Sequence, residues 1–101
     1  GMSLVGTWLY SESYATGDRS TGQSYQLTLL EDGNFLYGST GSVVGSPIRI
    51  TNRGRWRARD DVLLLNEGTG WVPYARFVVD RQQLSLTFAD DSRELWQRIA
   101  H

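Results

Sequence analysis

The chain has no cysteine, no lysine and a single histidine, His101, at its last position. Without thiols there is no disulfide, no thiolate metal site and no cysteine nucleophile. Without lysine there is no Schiff-base chemistry and no phosphate-loop lysine. One imidazole at the chain end leaves no internal histidine for acid–base work or for haem ligation. No apolar run approaches the length of a membrane-spanning helix. All ten basic residues are arginine and face 11 acidic ones, so the net charge of −1 offers no global field for nucleic acid or a membrane surface. Arginine without lysine also points to a GC-rich bacterial genome.

What the chain does have is rings and turns. Twelve residues are aromatic (four Trp, five Tyr, three Phe) and eleven are glycine. A length of 101 residues predicts one domain, residues 2–100, that buries roughly two-thirds of its extended surface in one core. Gly1 reads as a cloning remnant before a native Met2, and the residues after it carry no leader features. The expectation is a cytoplasmic protein, or a secreted or periplasmic one if a signal peptide has been removed.

Short alternating runs punctuated by Gly and Asp predict an all-β domain of eight strands. They run over Leu4–Tyr14, Ser24–Leu30, Asn34–Tyr37, Ile48–Ala58, Val62–Leu65, Trp71–Val79, Gln83–Phe88 and Arg93–Ile99. Glu31-Asp32-Gly33, Arg59-Asp60-Asp61 and Asp80-Arg81-Gln82 are short polar turns. Residues 15–23, 38–47 and 66–70 read instead as longer loops rich in Gly, Ser and Thr. If consecutive strands pair, the short turns fall at one end and the long loops at the other. That is an eight-stranded antiparallel up-and-down barrel with one tight end and one loose mouth.

Strand parity sorts the side chains. Trp8, Tyr10, Glu12 and Tyr14 share one face, and Tyr25 and Tyr37 join them from the next two strands. Trp71 and Phe88 fall on strand ends near the mouth. On the fourth strand Ile48, Ile50 and Trp56 alternate against Arg49, Arg53, Arg55, Arg57 and Arg59, with a bulge expected at Asn52-Arg53-Gly54. The turn beyond Val79 leaves open whether Phe77 and Val79 or Arg76 and Val78 face inward. The arginine row reads as a solvated outer face, since its one interleaved ring, Trp56, points the other way.

Gly6-Thr7-Trp8 opening the first strand of a meander resembles the G-x-W signature of the lipocalins and the wider calycin group. In that group the Trp closes the barrel floor and an Arg of the last strand packs across it. Connection counting brings Arg98, in Glu94-Leu95-Trp96-Gln97-Arg98, to the end that holds Trp8. The resemblance therefore implies a barrel closed by Gly6, Trp8 and Arg98, of the compact bacterial lipocalin-like kind, with binding-barrel ancestry. The chain departs from typical lipocalins in being shorter, without disulfides and without a helix after the last strand.

These readings make Tyr10, Glu12, Tyr14, Tyr25, Tyr37, Trp71 and Phe88 the candidate ligand-binding residues. The expected function is a small-molecule binding module that admits an apolar or aromatic ligand at the loop-rich mouth. The alternative is a filled structural or interaction barrel, as a homodimer through Leu9, Leu36, Leu63 and Leu65. A third reading is an enzyme using Glu12 with a tyrosine, with Arg76, Arg98 or tyrosines as partners for that carboxylate. No cofactor, metal, nucleic acid or membrane is expected as a partner: Asp60-Asp61 and Asp90-Asp91 are too few ligands for a cation cage.

Overall fold

The structure, a computed structural model, describes residues 3–16, 19–40 and 48–100, and for residues 13–16, 19–21 and 40 the backbone alone. Eight strands follow in chain order: β1 (Gly6–Thr16), β2 (Arg19–Leu29), β3 (Asn34–Thr40), β4 (Arg49–Arg59), β5 (Val62–Asn66), β6 (Trp71–Val79), β7 (Gln83–Thr87) and β8 (Arg93–Ala100). Each pairs antiparallel with the next, and β8 pairs with β1 to close the barrel. The architecture is all-β and up-and-down, consistent with a lipocalin-like fold. Among the described residues no helix is long and apolar enough to cross a membrane.

Aspartates shape the tight turns. Asp32 Oδ1 accepts the Asn34 amide at 3.0 Å, and Asp80 Oδ1 accepts the amides of Gln82 and Gln83 at 2.9 and 2.8 Å. Gly33 sits at φ +92°, a conformation that side-chain-bearing residues rarely adopt. These hydrogen bonds hold the Asp32 and Asp80 carboxyls below their usual range, chiefly through the backbone amides they accept. Such turns stabilise one register of the strands they join.

The interior below the mouth is filled. Trp8, Leu27, Leu29, Phe35, Leu63, Leu84, Leu86 and Trp96 are all fully buried. Phe77 pairs with Leu86 and Val79 with Leu84, which settles the register after Val79 in favour of Phe77 and Val79 facing inward. Leu63 and Leu65 stand opposite Ala58 and Trp56, and cross-strand partners share a face. Leu63 is thus a core residue and Leu65 packs against that core, so neither belongs to an outer apolar surface, which corrects the dimer set expected from sequence. The exposed outer apolar residues include Val78, Leu95 and Ile99.

The floor is closed at the β1–β8 seam. The Arg98 guanidinium lies 4.2 Å from the Trp8 ring centroid and donates to three backbone carbonyls, those of Arg81, Val5 and Ser3, each at 2.8 Å. Trp8 Nε1 donates to the Leu4 carbonyl at 3.0 Å. Gly6, at φ +146°, leaves room for this arrangement: a Cβ there would lie 2.5 Å from Arg98 Nη1.

Three departures from the sequence expectation concern local geometry. Residues 15–23, expected as a loop, contain the continued β1–β2 ladder, in which Tyr14 pairs with Thr21 and Thr16 with Arg19. Among the described residues β2 pairs with β3 from Ser24 onward, so the β1–β2 ladder runs on past that pairing. In β4 the irregularity lies at Thr51, since Tyr37 pairs with Asn52 but Gly38 with Ile50. The extra residue reverses parity, leaves Ile50 exposed and takes Arg49 out of the arginine row. In β6, Leu64 pairs with Pro73 but Leu63 with Ala75, so Tyr74 is the extra residue of a bulge.

Two substitutions test the inside–outside assignment. Leu63→Ala is expected to cost about 2–5 kcal/mol in chemical denaturation, as a buried leucine does. Val78→Ala should change stability by no more than about 0.5 kcal/mol. Arg98→Ala should cost about 2–4 kcal/mol through lost charged hydrogen bonds and ring stacking, with only partial recovery in Arg98→Lys.

Candidate functional site

The mouth is built on a layer of rings. Tyr10 of β1, Tyr25 of β2 and Tyr37 of β3 stand side by side, with centroids 6.1 and 6.2 Å apart. Trp96 of β8 meets Tyr10 at 5.4 Å and reaches across the lumen to Tyr37 at 6.2 Å. This layer roofs the packed core and floors the mouth. Beside it Tyr74 and Phe88 pack edge to face at 5.3 Å.

Two hollows open around Tyr74. The first, about 360 Å³, is walled by Leu27, Phe35, Tyr37, Leu65, Val72, Pro73 and Tyr74, with Asn52, Glu67, Thr69 and Gly70 at its edge. The second is wider and shallower, about 560 Å³, between Tyr74, Phe88, Ala89, Asp90, Ser92 and Glu94. The bulge in β6 creates this division. By shifting parity it turns both Val72 and Tyr74 toward the lumen on the mouth side of Ala75.

The same shift displaces one expected lining residue. Trp71 does not line the mouth: it is partly exposed on the outer surface, where the Arg57 guanidinium lies 4.2 Å from its ring. Counting back from Phe77 and Val79 by twos puts Trp71 inside, and the extra residue at Tyr74 reverses that count. Pro73 is the local signal for it, because a residue without an amide donor is tolerated where a ladder is interrupted. Tyr10, Tyr25 and Tyr37 come together in the ring layer, and Phe88 borders the second hollow. The Tyr14 side chain lies outside the described residues.

Glu12 is half-buried on the inner face, where its Oε1 accepts the Tyr10 hydroxyl at 3.2 Å. Of the partners expected for it, a tyrosine supplies this bond, while Arg98 is engaged at the floor and Arg76 is exposed. A second carboxylate joins it from β8, missed by the sequence reading. Glu94 is two residues before Trp96 and four before Arg98, so an inward Arg98 brings Glu94 inward too. Its Oε1 accepts Trp96 Nε1 at 3.2 Å.

Burial raises the Glu94 carboxyl above its ordinary value; the Trp96 bond works against this and the negative charge of Glu12 adds to it. Tyr37 is pushed up to about 12, first by burial and then by the charge of Glu94, with Tyr25 and Glu12 contributing less. Tyr74 is raised further, again mainly by burial. Both phenols therefore remain hydroxyls at neutral pH, able to donate. Asp90 is held below the carboxylate range by the hydroxyl and amide of Ser92, at 2.6 and 3.0 Å from its Oδ1.

No protein-family model matches the chain, and no curated protein matches it either. Function therefore has to be read from the mouth itself.

The raised Glu94 has a measurable consequence. In the unfolded chain this carboxyl titrates near 4.5, and folding favours its protonated form. Its contribution to stability is present below that value and is lost as pH rises through the higher folded value. Glu94→Gln keeps an acceptor for Trp96 and removes the charge. Its thermal midpoint should exceed the parent's at neutral pH, and the gap should close once the medium is acid enough to protonate Glu94 in both states.

Proposed function

We propose that the protein is a small-molecule binding module that takes an apolar or aromatic ligand at the loop-rich mouth of the barrel. The observation that carries this reading is the hollow of about 360 Å³ above the packed core. Its size lies in the range of roughly 300–1,000 Å³ typical of small-molecule sites. Leu27, Phe35, Leu65 and Val72 supply apolar wall, the Tyr37 and Tyr74 hydroxyls supply donors, and Asn52, whose Nδ2 donates to Glu67 Oε1 at 2.7 Å, supplies a fixed polar rim. That combination favours a ligand with a ring or short apolar body and a polar group to orient.

The filled-barrel alternative accounts for the lower half of the lumen but not for the mouth. An enzyme built on Glu12 and a tyrosine gains no support from the hydrogen bond between Tyr10 and Glu12, because that bond holds the carboxylate as an acceptor.

N-phenyl-naphthylamine, neutral and fluorescent in apolar surroundings, is a direct probe of the hollow. Saturable one-site enhancement is expected with the parent protein. Val72 is a largely exposed rim residue that lines the hollow. Val72→Trp should therefore fill the space, abolish the enhancement and leave the thermal midpoint nearly unchanged. Equal enhancement in the variant and the parent would contradict the placement of the site, and no enhancement in the parent would contradict binding.

A further inference from the structure

We propose that the mouth selects an organic cation, a ligand that joins a small aromatic or apolar body to an ammonium group, with Glu94 as its counter-ion. This rests on the reading of the mouth as a ligand site and adds the sign of the ligand's charge.

The two hollows share Tyr74 as a common wall. A ligand whose body fills the apolar hollow and whose polar end extends past Tyr74 meets Phe88 and Glu94 in the second. Both rings there offer negatively polarised faces, which attract a cation within roughly 6 Å. Among the described residues that line the two hollows, every charged side chain is acidic. Glu67 edges the first hollow, and Asp90 and Glu94 border the second, while no arginine is among the described residues that line either. Arg53, Arg55, Arg57, Arg59 and Arg76 are exposed on the outside and Arg98 is held at the floor, while Arg49, paired with Ser39 near the mouth, is exposed and lines neither hollow.

Desolvation decides among ligand classes. Glu94 is already partly withdrawn from water, and its hydrogen bond is to a neutral indole. A neutral ligand over the mouth would remove more water from this carboxylate and return no charge. An anion would add repulsion from Glu94 and Asp90. A cation alone compensates both the desolvation and the charge. Among the described residues no three carboxylates or histidines converge as a metal cage does. The rings and the single inward carboxylate of β8 therefore fit a diffuse ammonium better than a bare metal ion.

Benzylammonium, benzyl alcohol and benzoate share one ring and differ in charge, and NMR titration of the full-length protein with each separates the possibilities. Benzylammonium should bind roughly tenfold tighter than benzyl alcohol, the scale of a cation–ring contact with a half-exposed ion pair, and benzoate weakest. In Glu94→Gln the preference for the cation over the alcohol should shrink to about twofold. Phe88→Leu preserves apolar volume while removing a ring face, so it should weaken the ammonium more than the alcohol. Benzyl alcohol binding as tightly as benzylammonium would overturn the charge inference and leave the site standing. If none of the three perturbs the mouth residues, the site and the inference fall together.

Discussion

The contact between Arg98 and Trp8 organises this barrel. A guanidinium stacked on indole and donating to three backbone carbonyls ties the last strand to the first, to the segment before it and to the turn between β6 and β7. Each of the three guanidinium nitrogens donates one of these bonds, and bonds from a charged donor are stronger than neutral ones. The contact also sets the parity of β8. With Arg98 turned inward, Trp96 and Glu94 must follow at intervals of two, which delivers one residue to the floor, one to the ring layer and one to the mouth.

From that parity the lumen divides into a filled lower half and an open upper one. Trp96 spans the barrel to Tyr37 and separates the two. Below it, leucines and Trp8 leave no exposed core surface. Above it, the bulge at Tyr74 turns an additional ring inward and sets the boundary between two hollows. The carboxylates of Glu12 and Glu94 face this upper space. Their mutual repulsion, added to burial, is electrostatic cost held at the mouth, and such cost is commonly retained where a ligand relieves it.

Much of the fold was legible in the sequence, because alternation and turn chemistry are local. The runs around Leu27, Leu84 and Leu86 and the Asp- and Gly-bearing turns indicate strands and hairpins without reference to partners. The meeting of Trp8 with Arg98 followed from counting connections. What could not be read was parity across interruptions, since a bulge is a property of two strands in register. Thr51 and Tyr74 each add one residue, and each reverses every inference drawn past it: Ile50 and Trp71 move outward, and Tyr74 comes in. Gly38 and Pro73 mark the places but do not fix the direction. Glu94 shares the parity of Arg98, but a carboxylate by its charge alone is assigned to a solvated face. The end of the β1–β2 ladder reads as a loop because residues 15–23, rich in Gly, Ser and Thr, carry no apolar alternation.

The Glu94 carboxylate points into the mouth. The most direct test of this placement is an NMR titration of the Glu94 side-chain carboxyl in the folded protein. The structure predicts a value above that of an ordinary glutamate, with Asp80 and Asp90 in the same protein falling below the ordinary aspartate value. A Glu94 that titrates at or below the ordinary glutamate value would mean that the group lies in water or beside a cation, and would contradict the inward, ring-lined mouth described above.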